Sequence, residues 1–352
     1  MARNETLPEK KRIPGLSYAV LADGIELPVL DITHPLFISS IDEEKLSRIL
    51  KDVEKKGEKR AEGFQNLPAF VKGFLAKRSY VMADFLSEPC EDAFLSGIAT
   101  LMMKLGPGLI GGGRKMFLDR LAAKGLGAIA LRMRVRDISR CQADALIPRL
   151  EESPGKNLCI VNIAGGTACD SLNALILVQK EDRSLLKYRE IEINVLDIDP
   201  TGPAFAGRCL KSLQAPGSDF HGLHISLRSM PYDWNDPAAL EPLLSERKDW
   251  LQICASEGGL FEYGSDEAMA RTLEALYDHS EAEMKIVGSL MRDIGTIDPG
   301  ARAALRITNI KARLLGLGGL KSVLAGSRWK IDGVQEGNPR YVVFSLSKGS
   351  AG

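Results

Sequence analysis

The 352-residue sequence carries no net charge: 46 lysines and arginines offset 46 aspartates and glutamates. Without an excess of either sign there is no overall field to gather nucleic acid or an anionic membrane, so neither is an expected partner. Long apolar runs are missing too, and no stretch approaches the roughly eighteen apolar residues that a membrane-spanning helix requires. The opening MARNETLPEKKRIPG is charged and has no apolar segment behind it, which argues against a secretory signal. Cysteine is sparse and lacks pairing patterns. Cys90, Cys141, Cys159, Cys169, Cys209 and Cys254 include no C-x-x-C, and several sit in apolar runs where a thiol acts as a small hydrophobe. No disulfide framework and no zinc site are expected, and the compartment expected is a reducing cytoplasm.

What is present is an ample apolar fraction, 45% of residues, enough for one large core or a core with an accessory unit. Residues 1–14 read as a polar tail. SYAVL and IELPVLDI then flank Ala22-Asp23-Gly24, an Asp-Gly pair that supplies the positive φ of a tight hairpin. Ser40-Ile41-Asp42-Glu43 has the spacing of a capping box opening a helix. Helical patterns broken at Pro68, Pro89 and the GPGLIGGGR stretch continue to about position 150, predicting a mainly helical cap over residues 15–150. The glycine-rich segment 106–113 is read as a hinge of that cap or as a plain loop. It lacks the GK[ST] ending of a phosphate loop.

From Asn157 short Val-, Ile- and Leu-rich runs alternate with helical stretches: LCIVNIA, IEINVLDI, LHISL, WLQICA and MKIVGSL. Strands buried on both faces lose polar–apolar alternation, so the pattern predicts βαβ units and a parallel sheet over residues 151–352. At the end, WKIDGV and RYVVFSL are separated only by QEGNP, too short for a crossover helix, so this pair must be antiparallel. The fold class expected is a doubly wound α/β, seven-stranded, mostly parallel sheet closed by an antiparallel hairpin.

In CIVNIAGGTACDSLNAL a strand runs into Ala164-Gly165-Gly166 and then into a helix. Glycines there let backbone approach a ligand, and the helix start presents unsatisfied N–H groups. The alternative is close helix–strand packing without a ligand. The next strand ends in Asp197-Ile198-Asp199-Pro200, where an acid accepts from both ribose hydroxyls in nucleoside-binding folds. Asp197 is the better candidate and Asp199 the second. A dinucleotide fingerprint wants a third glycine and an acid about twenty residues on. Here that glycine is absent and Asp197 lies well beyond that spacing, which disfavours a nicotinamide-dependent oxidoreductase.

These residues resemble a class I S-adenosylmethionine-dependent methyltransferase, with NIAGGTA similar to its glycine motif and VLDIDP to its acidic strand end. Within the class the pattern is similar to the leucine carboxyl methyltransferase and O-methyltransferase group. Arg132-Met133-Arg134-Val135-Arg136-Asp137 resembles that group's R-x-R-x-x-D segment, Asp170 stands near its aspartate, and Ser256-Glu257-Gly258-Gly259-Leu260-Phe261-Glu262-Tyr263 resembles its E-G-x-x-x-Y turn. The glycine-to-aspartate spacing is one residue longer than the group's, and Ser171 and Leu172 stand where it has an arginine. The resemblance spans about residues 130–348. It implies S-adenosylmethionine as cofactor and methyl transfer to a small-molecule oxygen or carboxylate; a catalytically inactive cofactor-binding relative is the alternative.

On that reading Arg132 and Arg134 bind the methionyl carboxylate through their guanidinium forks, or else form a solvated helix face. Glu257 and Gly258 shape the amino-acid end of the pocket. Arg228, Ser229 and Met230, after the third strand, meet the adenine. Tyr263 lines the acceptor site or simply packs. Asp170 is a cofactor partner by resemblance and a helix cap by default. His221 and His224 flank the third strand, where a structural hydrogen-bonding role outweighs that of a general base, so no catalytic residue is assigned. No His/Cys/Glu cluster accompanies the acids, so no metal is expected.

Overall fold

The computed structural model describes residues 12–41, 44, 46–53, 63, 66–86, 94–111, 116–308 and 310–349. The chain begins with the expected antiparallel hairpin, Tyr18–Val20 (β1) against Glu26–Pro28 (β2). Gly24, at φ +86°, supplies its left-handed turn residue. Ser40 faces backwards, its Oγ donating to the Phe37 carbonyl at 2.6 Å. Glu43, which would complete the capping box, lies outside the described residues, as do most of the tail, Pro89 and residues 112–115.

Five parallel strands follow: Leu158–Ile163 (β3), Ile191–Leu196 (β4), Ile225–Met230 (β5), Leu251–Ser256 (β6) and Lys285–Met291 (β7). Every residue of β3, β4 and β6 is buried, including the polar Asn162, Glu192, Asn194 and Gln252, so both faces of these strands are covered even though β4 alternates apolar and polar residues in sequence. Trp329–Gln335 (β8) and Tyr341–Lys348 (β9) form the closing hairpin, and β9 inserts antiparallel beside β7. The sheet order is β5-β4-β3-β6-β7-β9-β8.

Residues 46–53 are helical, as expected after Ser40, and the α-helices whose bounds are described are Pro35–Ile38 (α1), Ala69–Ala76 (α2), Tyr80–Phe85 (α3), Gly97–Leu105 (α4), Phe117–Ala122 (α5), Leu126–Glu152 (α6), Cys169–Glu181 (α7), Thr201–Leu213 (α8), Leu240–Ser245 (α9), Gly259–Tyr263 (α10), Asp266–His279 (α11), Pro299–Ile307 (α12) and Gly316–Leu324 (α13). Side chains of β3 separate the two apolar layers. Leu158 and Ile160 point into one cluster, while Cys159, Val161 and Ile163 point into the other. The first cluster joins Leu101, Met102 and Val135 to Leu172, Ile193 and Val343, so one apolar layer runs across position 150. The 27-residue α6 packs against α4, α7 and strands β6, β7 and β9, and so covers one face of the sheet. No described helix is long and apolar enough to cross a membrane.

Candidate functional site

The turn after β3 and the acid after β4 hold one another. Ala164 and Gly166 both have positive φ, +52° and +51°, which turns the chain sharply at the sheet's carboxyl edge. The Gly166 N–H donates to Asp197 Oδ2 at 2.8 Å, and Asp197 Oδ1 accepts from the Asp199 N–H at 2.9 Å. Burial raises the Asp197 carboxyl above its usual range. Asp199 points away from this turn and accepts from the Thr201 N–H at 2.9 Å, holding the first turn of α8.

Three glycines from distant parts of the chain meet at that turn. A Cβ on Gly202 would stand 2.7 Å from the carbonyl carbon of Gly166, and one on Gly97 would stand 3.0 Å from the Gly166 Cα. The amino ends of α4 and α8 thus rest directly on the turn's backbone. Close packing and a ligand floor were alternative readings of these glycines, and the packing is present.

Beyond the turn lies a buried row of charges. Lys104 Nζ is 2.8 Å from Glu257 Oε2, Arg134 Nε is 3.3 Å from Glu257 Oε1, and Arg134 Nη1 is 2.5 Å from Glu262 Oε1. Arg134 also stacks over the Tyr341 ring at 4.4 Å. Burial alone would lower the Arg134 guanidinium, but Glu262, Tyr341 and Glu257 carry it above its ordinary value. Gly258 is a glycine by necessity, since its φ of +97° is a backbone conformation that residues with a Cβ rarely adopt.

These features face one cleft, enclosing about 820 Å³ of free space with its open mouth included. Of the predicted residues, Ala164, Gly165, Gly166, Asp197, Arg134, Glu257 and Tyr263 line it. The others do not. Arg132 is buried elsewhere, donating to the Met103 and Ala123 carbonyls at 2.9 and 3.0 Å and to Ser40 O at 3.3 Å. Neither arginine lies on a solvated helix face. Arg228 pairs with Glu192 at 3.0 Å, Ser229 is exposed, and Met230 packs on the second apolar layer. Gly258 shapes Glu257 and Arg134 from behind. Asp170 is fully buried behind the turn, accepting from Asn162 Nδ2 at 2.8 Å and Gln142 Nε2 at 3.0 Å. Burial, then the Glu257 charge, pushes its carboxyl up to about 6.

The sequence reading missed Lys104, Thr100 and Glu262, together with the aromatic residues Tyr232, Trp234 and Tyr341. The aromatic pair had a signal. β5 extends to Met230, three residues past the LHISL run, so the loop that meets the cleft is Pro231 to Asn235, and PYDWN is its aromatic segment. Among the described residues no group of three or more His, Cys, Asp or Glu is placed to hold a metal ion.

Numbering strands from β3, the sheet order reads 3-2-1-4-5-7-6, with the last strand inserted antiparallel. The fold is that of the class I methyltransferases. No family model and no curated protein matches the sequence. Among solved structures, a possible exported protein from Bordetella parapertussis superposes with a TM-score of 0.52 at 14% identity, over 87% of this chain and 97% of its own. Magnesium protoporphyrin IX methyltransferase from Synechocystis PCC 6803, with bound S-adenosylhomocysteine, gives 0.42 at 10% identity over 72% and 94%. An O-methyltransferase family protein from Burkholderia thailandensis gives 0.40 at 14% over 67% and 63%. Of these three the first alone exceeds a TM-score of 0.5, and at 14% identity its likeness is one of fold.

Proposed function

We propose that the chain is an S-adenosylmethionine-dependent methyltransferase acting on a small-molecule acceptor at oxygen or carboxylate, in a reducing cytoplasm. The observation that carries this reading is the convergence, at the carboxyl edge of a class I sheet, of the Ala164–Gly166 turn, Asp197 and the alternating charges of Lys104, Glu257 and Arg134.

The donor set suits each part of that cofactor. Asp197 spends one lone pair of each oxygen on backbone N–H groups, leaving acceptor capacity for a ribose diol. Ile198, Tyr232 and Trp234 offer apolar surface for a purine. Lys104⁺, Glu257⁻, Arg134⁺ and Glu262⁻ form a row that a zwitterionic amino-acid end joins without adding net charge. Bound there, the cofactor supplies an electrophilic methyl group on a sulfonium. The task left to the protein is alignment and exclusion of water, which Leu131, Glu262 and Tyr263, lining the cleft, are placed to perform.

Calorimetric titration with S-adenosylhomocysteine tests the proposal. Binding at or below roughly millimolar ligand is expected, weakened about tenfold or more by Asp197→Ala, and the absence of heat in that range sinks it. A second reading, a cofactor-binding protein without catalysis, is favoured by one observation: none of the four histidines lines the cleft. Labelled methyl transfer to any member of an acceptor library excludes it. The nicotinamide alternative is disfavoured by the inserted antiparallel strand, since dinucleotide sheets run 3-2-1-4-5-6.

A further inference from the structure

Adjoining the cleft is a second chamber, open to solvent on one side, with about 580 Å³ of free space, its mouth included. Leu95, Leu131, Glu262, Tyr263 and Tyr341 line both spaces and so form the partition between them. The rest of the chamber is almost wholly apolar, drawn from Met103, Met291, Ala301, Leu305, Ile310 and Ala312. Its polar groups concentrate at the partition, apart from Thr308 and Arg340.

The charges present are already matched. Arg340 holds Asp298 through two contacts of 2.6 and 3.0 Å, and Asp298 in turn accepts from the Ala301 N–H to cap α12. Glu262 is paired with Arg134. An ionised guest seated against these walls would therefore give up part of its water without gaining a counterion from the described lining residues, which disfavours it relative to a neutral one. Burial pushes the Tyr341 phenol up to about 12 and raises that of Tyr263 as well, so both stay neutral hydrogen-bonding groups.

We infer that this chamber is the acceptor site, and that it takes an uncharged, mainly apolar small molecule whose single hydroxyl points at the partition formed by Glu262, Tyr263 and Tyr341. The word acceptor rests on the methyltransferase reading above; the chamber's preference for a neutral apolar guest does not. The apolar walls hold the body of the molecule. The partition orients the one group that faces the cofactor cleft, and of the two proposed acceptor classes the hydroxyl is the one this chamber selects; as its oxygen takes the methyl group and the sulfonium carbon–sulfur bond breaks, the hydroxyl proton passes to the Glu262 carboxylate, the one anionic group of the partition.

The full-length protein is titrated with the neutral fluorophore N-phenyl-1-naphthylamine, and the bound dye is then competed with 2-naphthol and 2-naphthoate. Naphthol is expected to displace the dye at concentrations about tenfold below naphthoate. Ala304→Trp and, independently, Thr308→Trp fill the chamber from α12 and its C-terminal end and are expected to weaken dye binding about tenfold. S-adenosylhomocysteine affinity is measured on the same preparations and is expected to stay within about twofold, because neither residue lines the cofactor cleft. Dye binding equal in wild type and both variants overturns the inference, as does naphthoate competing as well as naphthol. Dye binding lost in the variants while S-adenosylhomocysteine binds none of the three proteins supports the chamber and overturns the methyltransferase reading. S-adenosylhomocysteine binding without any dye binding does the reverse.

Discussion

Arg132 and Arg134 show how far single residues could be read from the sequence. Both belong to one basic stretch, yet residues two apart on a helix point about 200° apart, so one side chain reaches the cleft and the other turns away. Arg132 instead satisfies carbonyls at the carboxyl ends of α4 and α5, where a cation is favoured. Lys104 closes the apolar run GIATLMMKL and looks like an ordinary helix-end lysine; only the fold brings it to Glu257. Asp170 also took its meaning from the fold. Its ordinary value is 3.8 and the folded value about 6, so between these pH values the native state binds the extra proton. Stability is therefore expected to fall as pH rises from about 4 to 6 and to stay lowered above it. In Asp170→Asn this slope disappears, and the variant gains on wild type by about 1–3 kcal/mol at pH 8, since each shifted unit is worth about 1.4 kcal/mol. Gln142 now presents Nε2 to Asp170, and turning its amide over brings the unpartnered Oε1 round to accept from the new amide. Urea unfolding at pH 4.5, 6 and 8 checks this, and parallel profiles for the two proteins would refute it.

At the scale of elements, β3, β4 and β6 were legible because burial on both faces makes them short runs rich in Val, Ile and Leu, in spite of the polar Asn162, Glu192, Asn194 and Gln252 within them. β5 was harder: it is an edge strand with exposed residues inside it, so its end could not be seen, and Arg228, Ser229 and Met230, read as following the strand, lie within it. Helix α8 holds two glycines of opposite meaning that the sequence does not distinguish. Gly207 has nothing within 4 Å of a would-be Cβ, whereas the same atom on Gly202 would strike the Gly166 backbone at 2.7 Å. Gly207→Ala is expected to stabilise by about 0.5–1 kcal/mol through helix propensity alone. Gly202→Ala gains the same propensity and still loses about 1–3 kcal/mol net, because the opposing atoms are backbone and have no rotamer to yield. Thermal unfolding of the two variants separates them, and a shift of the same sign in both would show that the contact does not govern.

For the molecule as a whole, the terminal hairpin was the most informative short segment. Five residues between two strands exclude a crossover, and that alone distinguishes this sheet from an all-parallel dinucleotide fold. The organisation of the first half was less legible, because α6 reads as another cap helix while its apolar residues are shared with the sheet's own layer. What no local pattern announced is that Gly166 belongs both to the floor of the cleft and to the seat of α4. The consequence is kinetic. A ligand settling on that floor bears on the same backbone that seats the first turn of α4, and a shift of that turn is the expected second step of binding. Observed association rates, followed by stopped-flow quenching of Trp234 at the cleft wall, are expected to bend to a plateau as S-adenosylhomocysteine is raised. A strictly linear dependence up to the mixing limit would show that the turn is reached without moving the helix.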